Sequence, residues 1–110
     1  MKYIKLENTE DLQYILNTYN YVIIQFSASW CGPCQKITPE MEEWAYHFKS
    51  DDIVYVYCDV DVIDNALTNR LAIKSVPSFV IYLKSQLKFG RVLVSSNYDE
   101  VMGYISNHLN

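Results

Sequence analysis

The sequence predicts an α/β fold, a mixed five-stranded sheet sandwiched between helices, in a single domain over residues 1–110. Three observations carry that expectation. Apolar residues switch between strand-like and helical spacing in the order β-α-β-α-β-α-β-β-α. The run Tyr21-Val22-Ile23-Ile24-Gln25-Phe26 is β-branched and nearly continuously apolar, as a central strand covered on both faces must be. The last two strands are joined so closely that they must be antiparallel neighbours, whereas the earlier ones require crossovers.

Each element has its own local reason. Lys2 to Leu6 reads as a first strand, after which Asn8 or Thr9 caps a helix with Leu12, Ile15, Leu16 and Tyr19 on one face. Tyr21 to Phe26 follows as the central strand. From about Pro33 to Phe48 a second helix is predicted by Ile37, Met41, Trp44, Ala45 and Phe48, with Pro39 inside it predicting a kink. Ile53 to Cys58 is a third strand and Asn65 to Leu71 a shorter helix. Ser78 to Leu83 and Lys88 to Val94 form the antiparallel pair, and Tyr98 to Leu109 closes the chain as an amphipathic helix. No linker, repeat or low-complexity tract divides these elements.

Composition narrows the function classes. The 110 residues are 50% apolar, enough for one ordinary core without staples. Thirteen acidic against nine basic residues give a net charge of −4, and no run of Lys or Arg offers the footprint a phosphate backbone needs, so nucleic acid is not an expected partner. The opening Met1-Lys2-Tyr3-Ile4-Lys5-Leu6-Glu7 lacks the apolar segment of a secretory signal. Tyr21 to Phe26 is too short to span a bilayer, so no membrane is expected as a partner either. The expected setting is therefore the cytoplasm, where thiols stay reduced and structural disulfides are rare. Three cysteines, an odd number, do not suggest a disulfide scaffold.

The chemistry is concentrated in Trp30-Cys31-Gly32-Pro33-Cys34. A bare CxxC also serves metal sites, but zinc wants about four N or S ligands, and only Cys58, His47 and His108 remain, scattered along the chain. Neither a metal nor a cofactor is expected. The pair falls instead between a buried strand and a helix, which places Cys31 at the helix N-terminus. Unpaired N–H groups and the positive end of the dipole favour thiolate there. The expected roles are Cys31 as nucleophile and Cys34, one turn later and facing inward, as the resolving thiol. Two exposed thiols opening a helix form a reactive microenvironment. Gly32 is expected to allow a tight turn, and Pro33 sits in the first turn, where its missing N–H costs little.

The segment Phe26-Ser27-Ala28-Ser29-Trp30-Cys31-Gly32-Pro33-Cys34, followed by Ile37 and Pro39, resembles the active-site segment of the thioredoxin family, and the element order extends the likeness over nearly the whole chain. The resemblance implies a thioredoxin fold and a protein disulfide reductase, an electron-carrying dithiol recharged by a separate reductase and acting on disulfide-containing client proteins. It also implies that Pro77, in Val76-Pro77-Ser78-Phe79, is a cis-proline facing the cysteine pair, that the Val76 backbone meets an extended substrate, and that Trp30, Gly32 and Pro33 belong to the substrate surface.

Several positions depart from the family pattern. Gln25 stands where members commonly bury an aspartate that removes the proton from the resolving cysteine, and an amide cannot take a proton. The lysine that some members pair with that acid falls near Tyr57. Glycines expected near Ser85-Gln86 and near Ser95-Ser96 are absent. Gln25 is thus either a tuning residue or simply a hydrogen-bonded buried polar group. Cys58 is expected to be core packing, Trp30 functional surface and Trp44 core. His47 and His108 are expected near helix ends, and Asp51-Asp52 in a solvated loop. Two rival functions stand beside disulfide reduction. A secretory-type oxidase or isomerase would usually carry histidine where Pro33 stands, and a non-catalytic interaction module would not need both cysteines.

Overall fold

The structure, a computed structural model, describes residues 1–109. Among them the chain runs through β1 (Lys2–Leu6), α1 (Glu10–Thr18), β2 (Tyr21–Ser27), α2 (Gly32–His47), β3 (Ile53–Asp59), α3 (Asn65–Arg70), β4 (Ser78–Leu83), β5 (Lys88–Phe89), β6 (Leu93–Val94) and α4 (Tyr98–His108). The strand order is β1-β3-β2-β4-β5, with β6 also pairing β4. β1, β3 and β2 are parallel, while β4 is antiparallel to β2 and to both β5 and β6. The mixed sheet between helices is therefore as the sequence predicts. One difference is that the expected fifth strand over 88–94 is split in two. Gly90 interrupts it where the last helix presses close: its N–H donates to Ile81 O at 2.7 Å, and a Cβ there would lie 3.1 Å from His108 Nε2.

Side-chain alternation divides the interior into two cores. Val22, Ile24, Phe26, Val54, Val56 and Cys58 lie beneath Leu12, Ile15 and Leu16 of α1 and Leu67 of α3. Ile23, Ile53, Tyr55, Phe79 and Ile81 lie beneath Ile37, Met41 and Ala45 of α2 and Val101, Tyr104 and Ile105 of α4. β2 faces both cores, which is why its sequence shows no polar alternation. Each fully buried Ile or Phe contributes about 1.5–3 kcal/mol, so this central strand is the best-anchored part of the molecule and ends at the cysteine motif.

Of the two candidate caps for α1, Asn8 supplies the bond: its Oδ1 accepts from the Asp11 N–H at 3.0 Å, while the Thr9 side chain makes no capping bond. α2 continues through Pro39. The β4–β5 connection holds a 3-10 turn, Lys84–Gln86, followed by Leu87 at φ 52°. That left-handed conformation favours glycine, and a leucine in it costs on the order of 1 kcal/mol, so the missing glycine has a local structural consequence. Trp44 is only half-buried, packed against the second core. Among the described residues no helix is long and apolar enough to cross a membrane.

Cys58 is wholly buried in the first core, and desolvation pushes its thiol from 9.0 up to about 12. A folded-state value above the unfolded one means stability is fully present below pH 9.0 and is lost as pH rises toward about 12. Burial raises Tyr55 and Tyr104 in the same direction. Urea unfolding at pH 8 and pH 10.5 is expected to show an alkaline loss of stability that is smaller in Cys58→Ala. An equal loss in the two proteins would show that Cys58 does not contribute.

Candidate active site

β2 delivers the chain to Ser27 at the end of the sheet, and Ala28 to Trp30 form the link into α2. Cys31 is the N-cap of α2, with extended backbone (φ −91°, ψ 112°), and Pro33 occupies the first turn. The two cysteines are joined in a disulfide with their Cα atoms 5.2 Å apart. The Cys34 backbone N–H donates to Cys31 Sγ at 3.2 Å. In the reduced form the same N–H and the helix dipole favour a thiolate at Cys31.

Exposure separates the two sulfurs, and less of each is open than the sequence reading of two exposed thiols supposes. Cys31 is 5% exposed and Cys34 0%. The reason is packing: Ala28, Val60 and Val76 close around the pair. Gly32 and Pro33 are exposed beside it. No glycine has a left-handed φ, and a Cβ at Gly32 would meet nothing within 4 Å. Gly32 therefore keeps the surface beside Cys31 low, and the expected tight turn does not require it.

The loop before β4 brings Val76 and Pro77 against the pair. The Val76–Pro77 bond is cis, and Val76 O lies 3.7 Å from Cys31 Sγ across 45 residues of sequence. Pro77 itself is buried, and Val76 is half-exposed. On the other side Trp30 is 70% exposed, and its Nε1–H donates to Asp61 Oδ2 at 2.8 Å. A cleft of about 300 Å³ runs from Trp30 past Val60, Asp61, Ile73 and Lys74 to Val76. Asp61 as the partner of Trp30 is legible only in three dimensions.

Gln25 is 0% exposed and hydrogen-bonded through both its amide nitrogen and its amide oxygen. Its Nε2–H donates to Thr38 Oγ1 at 2.9 Å, and its Oε1 accepts from the Tyr55 hydroxyl at 2.5 Å. It is paired in register with Tyr57, where Lys5 of β1 is the next neighbour and places its Nζ 5.6 Å from the Tyr57 ring centre. That cation lies against the Tyr57 ring, with β3 between its own strand and β2. His47 is exposed and His108 Nδ1 lies 2.7 Å from Tyr104 O, both remote from the cysteines in sequence and at helix ends. Among the described residues no group of three or more His, Cys, Asp or Glu side chains is arranged to hold a metal.

A dithiol that closes into a disulfide at the mouth of a helix, one sulfur at the rim and the other sealed behind it, defines a thiol–disulfide oxidoreductase. The thioredoxin family model matches residues 2–106, and the chain belongs to the thioredoxin family. Thioredoxin-2 of Pyricularia oryzae is 33% identical over 104 residues, covering 94% of this chain; the chain spans 58% of that protein's length. Thioredoxin H-type of Ricinus communis is 31% identical over 103 residues, covering 91% of this chain and 80% of that one. The solved structure of Plasmodium falciparum thioredoxin aligns with a TM-score of 0.83 at 26% identity, over 98% of this chain and 99% of that one.

Proposed function

We propose that this chain is a protein disulfide reductase, with Cys31 as nucleophile and Cys34 as resolving thiol, working in the reducing cytoplasm. The observation that carries the reading is the asymmetry of the pair, with Cys31 at the rim beside Val76 O and Cys34 buried behind it. The Cys31 thiolate attacks one sulfur of a client disulfide; the client S–S bond breaks, a mixed disulfide forms, and the freed client thiolate takes a proton from solvent. Cys34 then gives up its proton and attacks Cys31 Sγ. The Cys31–Cys34 bond forms, the mixed disulfide breaks, and the second client sulfur leaves and is protonated. The client has gained two electrons and two protons, and a separate reductase returns the pair to the dithiol.

Trp30, Gly32, Pro33, Val76 and Pro77 serve in this reading as the client surface. Pro77 has no N–H to obstruct an approaching chain, so the Val76 carbonyl is left free to accept from a client backbone. Insulin reduction with dithiothreitol as the electron source is the direct test. The chain is expected to accelerate precipitation of the insulin B chain, and a rate equal to dithiothreitol alone would remove the reading in favour of a non-catalytic module. Titration against thiol buffers is expected to place the couple nearer to about −270 mV than to about −180 mV; the higher value would indicate an oxidase or isomerase.

A further inference from the structure

Three polar side chains from three elements lie in line behind Cys34. Tyr55 of β3 donates its hydroxyl to Gln25 Oε1 at 2.5 Å, Gln25 of β2 donates Nε2–H to Thr38 Oγ1 at 2.9 Å, and Thr38 of α2 donates its hydroxyl to the Cys34 carbonyl at 2.7 Å. The direction of this chain is dictated by chemistry. A carbonyl only accepts, so Thr38 must donate to Cys34 O and accept from the Gln25 amide nitrogen, which leaves the Gln25 oxygen to accept from Tyr55. Gln25 and Tyr55 are both 0% exposed, so water does not compete.

We propose that Thr38 is a positioning residue for the resolving step, its hydroxyl oriented by Gln25 and Tyr55 so as to fasten the Cys34 end of the first helical turn to the central sheet. The inference rests on the reductase reading above. Position 39 explains why such a fastening is needed. Pro39 has no N–H, so the Gln35 carbonyl, one residue beyond Cys34, loses the donor that an α-helix would supply. The turn that carries the sulfurs is weakest there, and the Thr38 hydroxyl adds a bond at the neighbouring carbonyl. Resolution demands that Cys34 Sγ be aimed at Cys31 Sγ as their bond forms and the Cys31–client bond breaks. A misplacement of about 1 Å between reacting atoms is enough to slow such a step strongly.

Thr38→Val keeps the shape and removes the hydroxyl, leaving a buried amide donor without a partner. Thr38→Ser keeps the hydroxyl. Attack is timed in the Cys34→Ser background and resolution in the intact pair, both with a disulfide-linked fluorescent peptide in rapid mixing. Thr38→Val is expected to slow resolution by about tenfold and leave attack unchanged, with Thr38→Ser restoring the rate. Should Thr38→Val fail to fold, Tyr55→Phe is expected to slow the same step by a smaller factor. Wild-type resolution in Thr38→Val, or in Tyr55→Phe where that variant decides, would overturn the role of Thr38. So would equal slowing of both steps in Thr38→Val and Thr38→Ser. A wild-type chain that fails to reduce the peptide overturns the reductase reading, and this inference with it.

Discussion

Cys31→Ser is expected to bring disulfide reduction down to the rate of dithiothreitol alone, whereas Cys34→Ser accumulates a stable mixed disulfide with the client. The two mutants must differ because attack precedes resolution. Cys31 is the sulfur at the rim, held by the Cys34 N–H at 3.2 Å and next to the Val76 carbonyl. Cys34 is 0% exposed and reaches only Cys31 Sγ, once that sulfur is already bonded to the client. Serine at 31 leaves an alcohol that is protonated at neutral pH and is a far weaker nucleophile than a thiolate. Serine at 34 leaves attack intact and removes the exit. Mass spectrometry of each mutant incubated with an oxidised peptide should find the adduct on Cys31 of Cys34→Ser and none on Cys31→Ser. Adducts on Cys34, or faster alkylation of Cys34 than of Cys31 in the reduced protein, would reverse the assignment.

Gln25→Glu is expected to speed resolution and to make stability depend on pH. A free cysteine has a pKa near ~8.5 and holds its proton more tightly when buried, so resolution gains from a base, and an amide is not one. Glutamate keeps the length of the side chain, whereas aspartate is one methylene shorter and loses reach to both Thr38 and Tyr55. Protonated, Glu at 25 reproduces the amide's pattern, giving its hydrogen to Thr38 and accepting from Tyr55. Ionised, it only accepts, and Thr38 must turn away from the Cys34 carbonyl. The two effects oppose each other: a positioned base contributes about 10²-fold or more, against about tenfold for the lost hydrogen bond. The base prevails, and turnover rises at neutral pH. Burial raises the folded-state pKa of this carboxyl above its unfolded value of about 4.3. Stability is therefore complete below about pH 4.3 and falls as pH rises, by about 1.36 kcal/mol per unit until the carboxyl ionises in the folded state. Stopped-flow resolution rates and urea midpoints from pH 5 to 9 check both halves. Unchanged resolution across that range would show that the Cys34 proton leaves by a route independent of position 25.

What the sequence determines by itself is whatever depends on residues close together in the chain. Five consecutive residues, Trp30 to Cys34, place a dithiol at a strand–helix junction, because the apolar run before them can only be a covered strand and Pro33 suits a first helical turn. The inward position of Cys34 follows from its spacing of three from Cys31. Thr38, four residues after Cys34, lies on the same helix face and is in that sense legible, though nothing local says what its hydroxyl meets. Tertiary structure alone decides the rest. Val76 reaches Cys31 across 45 residues because β4 pairs antiparallel with β2 and ends its ladder beside the motif. Asp61 finds Trp30 because β3 lies next to β2 and both strands end at the same edge of the sheet. Tyr55 meets Gln25 from a diagonal position on the neighbouring strand, a contact set by the parallel register that pairs Gln25 with Tyr57. The near-complete burial of Cys31, the split of the fifth strand at Gly90 and the left-handed Leu87 belong to the same class. Each depends on which surfaces the cores press together, and a contact between distant residues forms only when the fold closes the loop between them.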